Sequence, residues 1–215
     1  MAEGAAVEIA PGLWRWTAPH PAWRAGAEPD SPGDWAQEVG CVLAVIDEHA
    51  IFVDPLLPAE KEPFWQWCDE CVGSRSVHVL TTIRFHGRSR EAVADRYGGE
   101  VVASLRSLPP GVQAFRFAEA DETMFWLPRY GALIPGDRIV GDGAAAVRLC
   151  PDPWLGYLEE HHAVLKLSDP TRTQAELRAR LRPLLNLPVQ RILVSHGEPV
   201  LSDGAAALKR ILAPG

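Results

Sequence analysis

Short runs in which apolar and β-branched residues alternate with polar ones, or stand uninterrupted, punctuate the first two-thirds of the chain. Runs of this length and period predict strands. They fall at residues 12–17, 39–47, 51–54, 77–82 and 100–104, and again at 113–117, 123–128, 132–135, 147–149 and 190–195. Helical spacing interleaves and then takes over. The segment Phe64-Trp65-Gln66-Trp67 reads as helical and carries Cys68. Ser89 is placed to cap a helix through Glu91, Ala92, Val93 and Tyr97, which Gly98 ends because a missing Cβ permits a left-handed terminus. Residues 154–168 predict a further helix. From Thr171, the leucines 177, 181, 184 and 185 recur at helical spacing opposite arginines and form one apolar stripe. Pro183 lacks an amide donor and must kink or end that helix. A last helix opens at Ser202 or Asp203 and runs through Ala205 to Leu212.

Strands in two groups, each followed by helices, imply sheets packed on each other with helices outside, an α/β or α+β organisation. One stretch breaks the pattern. Over residues 18–38, Pro19, Pro21, Pro29 and Pro32 alternate with Trp23 and Trp35, which predicts a long loop or flap.

Composition narrows the class. A chain of 215 residues buries roughly 70% of its unfolded surface, so one domain spanning residues 1–215 is expected. With 47% hydrophobic and 23% charged residues, wholesale disorder is excluded, and no apolar run approaches the ~20 residues of a membrane span. The opening Met-Ala-Glu-Gly-Ala-Ala lacks a signal-peptide pattern, so a cytoplasmic protein is expected. A net charge of -7 argues against nucleic-acid binding, and the arginines at 172, 178, 180, 182 and 191 read as a solvated helix face. Four cysteines are too few for a disulfide framework. Cys68 and Cys71 lack a second pair for zinc, and Cys41 and Cys150 read as small hydrophobes in strand-like contexts. Glu159 and His162 share an i, i+3 spacing but have no matching ligands elsewhere, and no Gly-x-Ser-x-Gly elbow accompanies Ser195.

Read in order, several segments resemble the metallo-β-lactamase fold superfamily. Gly12-Leu13-Trp14-Arg15-Trp16-Thr17 looks like its opening strand. Gly40-Cys41-Val42-Leu43-Ala44-Val45-Ile46 followed by Ile51-Phe52-Val53-Asp54-Pro55 looks like its first hairpin and Asp-Pro turn. Residues 77–89 stand where the family writes Leu-Thr-His-x-His-x-Asp-His. Ala132-Leu133-Ile134-Pro135-Gly136-Asp137 resembles its Gly-Asp strand end, and Ser195-His196-Gly197-Glu198-Pro199 its closing motif. The resemblance implies a four-layer αββα sandwich of two mixed sheets, with a metal site, usually zinc, between the sheet edges. It also implies hydrolysis of thioesters, lactams, lactones or phosphoesters.

The metal motif itself is rewritten. Thr82 stands at the family's first histidine, Arg84 at the second, His86 at the aspartate and Gly87 at the third histidine. Ala120, Asp121 and Glu122 occupy the loop where the next histidine belongs, and Asp137 and His196 alone match. The ordinary dinuclear centre cannot assemble from this set. The first expectation is therefore a member of the fold without a cofactor and without the family's hydrolysis, binding a small-molecule ligand. There Arg84, a permanent cation with a planar donor fork, would replace the metal by pairing with Asp137 and with Asp121 or Glu122. Trp23 and Trp35 would cover the mouth of that pocket. The alternative keeps one zinc or iron ion on His86, Asp137 and His196, a set of two imidazoles and a carboxylate, and hydrolyses a small ester, thioester or lactone.

Overall fold

The computed structural model describes residues 6–117, 122–155 and 173–213. Six strands form the first sheet in chain order: β1 (Val7–Ala10), β2 (Leu13–Pro19), β3 (Glu38–Ile46), β4 (His49–Val53), β5 (Ser76–Leu80) and β6 (Glu100–Val101). The first four pair antiparallel, and β5 and β6 add parallel. Parallel neighbours need a crossover. Helix α1 (Lys61–Val72) supplies it between β4 and β5, and α2 (Arg90–Tyr97) between β5 and β6. A second sheet holds β7 (Gln113–Phe117), β8 (Glu122–Leu127) and β9 (Ala132–Ile134), antiparallel to one another. A separate hairpin, β10 (Ile139–Gly141) with β11 (Val147–Leu149), follows. Then come α3 (Gln174–Leu181), β12 (Arg191–Ile192), which pairs parallel to β9, and α4 (Gly204–Leu212).

The layers follow from strand alternation. On β3 and β8, neighbouring residues point to opposite faces, and both faces are apolar. Val42, Ile51 and Leu80 of the first sheet meet Phe125, Leu127 and Ile134 of the second in the central core. Leu43, Phe52 and Val79 face outward beneath Phe64, Cys68 and Val72 of α1 and Val93 of α2. Met124, Trp126 and Leu133 face outward beneath Leu177 and Leu181 of α3 and Leu208 and Leu212 of α4. Three cores separated by two mixed sheets make the expected αββα sandwich.

Several local expectations are corrected. Strands β1 and β10 were not among those expected. The runs at 100–104 and 190–195 pair as ladders over two residues each, and past the second ladder the Ser195 carbonyl accepts a hydrogen bond from the amide of Gly40 at 2.7 Å. Ser89 does not cap α2; its hydroxyl accepts from the amide of Leu57 at 3.1 Å. Gly98 does end that helix in the left-handed region, at φ 60°. The predicted helix from Thr171 begins at Gln174, where Thr173 and Glu176 form a capping box. Pro183 stops it in a 3-10 turn, Arg182–Asn186, and Leu185 leaves the stripe at 36% exposure. Thr171 and Arg172, the predicted helix beyond Leu155, and Glu159 and His162 lie outside the described residues. Among the described residues no helix is long and apolar enough to cross a membrane.

Candidate metal centre

The ends of β4, β5, β9 and β12 meet at one rim of the sandwich, and each delivers a side chain there. Asp54, directly after β4, adopts φ 50°, a conformation aspartate tolerates better than most residues. Its carboxylate accepts from the Thr82 amide at 2.8 Å and the Thr82 hydroxyl at 2.5 Å, tying the two strand ends together. His86 closes a 3-10 turn, Arg84–His86, and its Nδ1 lies 2.9 Å from Asp54 Oδ2. Asp137 follows β9 through Gly136, where a Cβ would sit 2.7 Å from Glu122 Cδ, so only glycine lets the chain pass over that carboxylate. His196 is held by a bridge to Val39 and by the Gly141 amide, which donates to its carbonyl at 2.8 Å.

The three side chains converge on one point. Asp137 Oδ1 lies 3.1 Å from His86 Nε2 and 3.3 Å from His196 Nε2, and the donor atoms of the trio fall within 4.8 Å of one another. That oxygen is buried, yet it accepts no aligned hydrogen bond from either ring. Buried acceptors are normally paired, so an oxygen without an aligned hydrogen bond between two ring nitrogens leaves a position that all three side chains share. Charge follows the same arrangement. Burial opposes ionisation of His86, but the carboxylates of Asp137 and Asp54 outweigh it and raise its pKa to about 9. Burial likewise opposes the Asp137 carboxylate, and His86 and His196 nevertheless hold it well below the usual range. Burial pushes His196 down, keeping it neutral.

A cavity of about 430 Å³ opens above the trio. The loop between β2 and β3 closes over it. The Trp35 ring meets His196 edge-on at 5.3 Å and His20 at 5.1 Å, and Trp154 meets His196 at 5.8 Å while its Nε1 donates to Ser31 O at 2.6 Å. Trp35 therefore lines the cavity, whereas Trp23 supports it from behind, its Nε1 donating to Trp35 O at 2.8 Å. His20 is driven down to about 4 by burial and then by the neighbouring Arg88 and imidazoles, so it is neutral at physiological pH.

The expected pairing of Arg84 with Asp137 is not made. Arg84 is exposed and lines a different cleft. The cation at the centre is Arg88, which sequence reasoning passed over; its Nη1 donates to Gly40 O at 3.3 Å and Asp54 O at 3.2 Å. Glu122 does pair with an arginine, but with Arg138, at 2.7 Å and with both side chains fully buried. Burial pushes the Glu122 carboxyl up, and Arg138 offsets this only in part. Asp121 lies outside the described residues. Asp54 and Arg138 were visible in sequence only as neighbours of Pro55 and Asp137.

No family model and no curated protein sequence matches the chain. Solved structures do. The DIM-1 metallo-β-lactamase exposed to ceftazidime superimposes with a TM-score of 0.59 at 13% identity, covering 98% of this chain and 95% of that one. VMB-1 at pH 5.5 gives 0.58 at 13% identity, covering 99% and 96%. The metallo-β-lactamase of Erythrobacter litoralis, with β-mercaptoethanol in its active site, gives 0.56 at 18% identity, again covering 99% and 96%. At such identities the likeness is one of fold.

Proposed function

The chain has the metallo-β-lactamase fold, and from the way its site departs from a two-metal centre we propose that it holds one divalent metal ion on His86, Asp137 and His196 and hydrolyses a small ester, thioester or lactone. The observation that carries this reading is the convergence of the single buried Oδ1 of Asp137 with both Nε2 atoms, at 3.1 and 3.3 Å. Two imidazoles and a carboxylate are a common hydrolytic zinc set. Asp54 completes it by accepting the Nδ1 proton of His86, which leaves the Nε2 lone pair for the ion. A zinc ion held there would supply a Lewis acid and a water of pKa near ~7.

The residues around the trio fit a small acyl substrate. Trp35, Trp154 and Phe85 give the cavity apolar walls. His20 Nδ1 accepts from the Ala22 amide at 3.2 Å, which places the ring proton on Nε2 at the cavity wall, a neutral donor for a polarised oxygen. A fold neighbour from Erythrobacter litoralis, 17% identical with a TM-score of 0.55, is known in a mono-zinc form.

Uptake of metal must displace the Nε2 proton that Asp137 and Asp54 stabilise on His86. Zinc affinity should therefore rise about tenfold per pH unit from pH 6.5 toward 9, with one proton released per ion. Calorimetry in buffers of different ionisation enthalpy, with elemental analysis of the loaded protein, measures both. Zinc-dependent turnover of p-nitrophenyl acetate accompanying one ion per chain supports the reading; uptake far below one ion per chain at pH 8 sinks it. Asp54→Asn should weaken zinc binding by about 10–100-fold, the range for an outer-shell partner of a ligand histidine, while one ion still binds at saturation.

A second reading rests on the same charge pattern. The His86 imidazolium, between Asp54 and Asp137, neutralises the site without an ion. The protein would then bind a small ligand without metal, and zinc would leave both its melting temperature and its hydrolytic rate unchanged.

A further inference from the structure

His49 opens β4, and His78 stands in the middle of β5, 29 residues further along the chain. The parallel register, which sets Ile51 opposite His78, brings the two rings together: His49 Nδ1 lies 3.1 Å from His78 Nε2, with the ring planes tilted by 54°. Alternation puts both on the face that Ile51 and Leu80 present to the central core, at the end of the strands away from Asp54 and Thr82. Between His49 and Asp54 the chain runs about 16 Å, at about 3.3 Å per residue, so the pair is separate from the metal centre. The His78 side chain is 14% exposed, and its Nδ1 is buried with no hydrogen-bond partner. Glu100 Oε2, from β6, lies 4.0 Å from that nitrogen, and His49 is half-buried.

Two imidazoles that meet nitrogen to nitrogen share a single proton between them. A divalent ion displaces that proton and takes both lone pairs. Two bonds of about 2.0–2.1 Å to nitrogens 3.1 Å apart subtend about 100° at the ion, between the right angle of a tetragonal site and the tetrahedral angle. Burial, and then the His49 ring, lower the His78 pKa, which keeps that ring in the neutral form a ligand needs. An ion on Nε2 also fixes the ring proton on Nδ1, the nitrogen without a partner, and aims it at the Glu100 carboxylate, as outer-shell carboxylates do for ligand histidines. Imidazole donors with open positions suit copper(II), nickel(II) and zinc, and copper(II) binds most tightly in that series.

We propose that His49 and His78 form a second metal site for a divalent first-row transition ion, with Glu100 orienting His78 and water filling the remaining positions. The inference does not depend on metal binding at His86, Asp137 and His196. Titration of the full chain with copper(II), followed by calorimetry and electron paramagnetic resonance, tests it. His49→Ala should bind one copper ion fewer per chain than the parent, whatever the other centre holds, and the signal it loses should carry hyperfine coupling to two imidazole nitrogens. Glu100→Gln should keep the parent's stoichiometry and weaken this site about tenfold, the lower end of the range for an outer-shell partner. His49 is half-buried and the Glu100 side chain 54% exposed, so both variants should fold; His49→Gln, which keeps more of the side-chain bulk, should lose the same ion. Asp137→Ala should leave this ion in place. The proposal is overturned if the parent and His49→Ala bind equal numbers of copper ions, which would make the two rings a hydrogen-bonded pair only. It is overturned equally if the lost signal shows one nitrogen, or if Asp137→Ala removes the same ion, which would place it at the first centre.

Discussion

Exchanging Asp137 for alanine is expected to leave a folded protein whose zinc affinity falls by more than about 100-fold, beyond the loss that an outer-shell partner causes. Oδ1 of Asp137 is the atom both imidazoles face, at 3.1 and 3.3 Å, so its removal leaves two ring nitrogens with no anionic ligand between them. Any zinc-dependent hydrolysis should fall by at least the same factor. The metal-free protein carries a second signature. His86 owes its pKa of about 9 to Asp137 and Asp54 acting against burial, and the variant keeps only Asp54. A histidine whose folded pKa is raised stabilises the protein fully below its unfolded value near ~6.5, and that contribution disappears as pH rises through about 9. Metal-free Asp137→Ala should therefore be less stable than the parent at pH 6, with the gap closing toward pH 9.5, as urea melts at the two pH values would show. A variant that binds zinc like the parent would remove Asp137 from the centre.

The order of strands and helices was legible because most runs are long enough to display a period of two or of 3.6, and the two-faced cores beside β3 and β8 make those runs continuously apolar. The convergence of His86, Asp137 and His196 was legible from residue chemistry and motif order. The misreading of Arg84 has a geometric cause. In a 3-10 turn, with about three residues per turn, successive side chains are rotated by roughly 120°, so Arg84 and His86 cannot share a side: His86 faces inward and Arg84 another way. Sequence spacing alone did not reveal that this segment forms such a turn. Alternation hid Arg138 in a similar way: it follows Asp137 directly and turns inward to Glu122 while Asp137 faces the cavity. Asp54 depends on partners far away in sequence. Only the parallel register that sets Val53 opposite Leu80 brings its carboxylate to Thr82 and His86.

Arg138→Met should destabilise the protein by about 3–5 kcal/mol, the cost of leaving one partner of a buried ion pair alone. For a chain of this length that corresponds to a fall in melting temperature on the order of 10 °C. Glu122 is 0% and Arg138 1% exposed, so loss of the guanidinium at 2.7 Å leaves the carboxylate without its counter-charge in a buried place. Asp137 repels Glu122 as well, so in the variant Glu122 should take up a proton, and that proton limits the loss. The sign of the pH dependence follows. An acid whose folded pKa is raised binds more protons folded than unfolded, so stability falls as pH rises above the unfolded value near ~4.3. The penalty should thus be smaller at pH 5 than at pH 8. Glu122→Gln combined with Arg138→Met removes the buried charge altogether and should recover most of the stability, because both cavities are then lined by neutral groups of similar size. Urea denaturation of the parent, the single variant and the double variant at both pH values measures the coupling directly. A single variant within about 1 kcal/mol of the parent at pH 8 would show that Glu122 is already protonated in the native protein, its neutral carboxyl accepting a hydrogen bond from a guanidinium that stays charged.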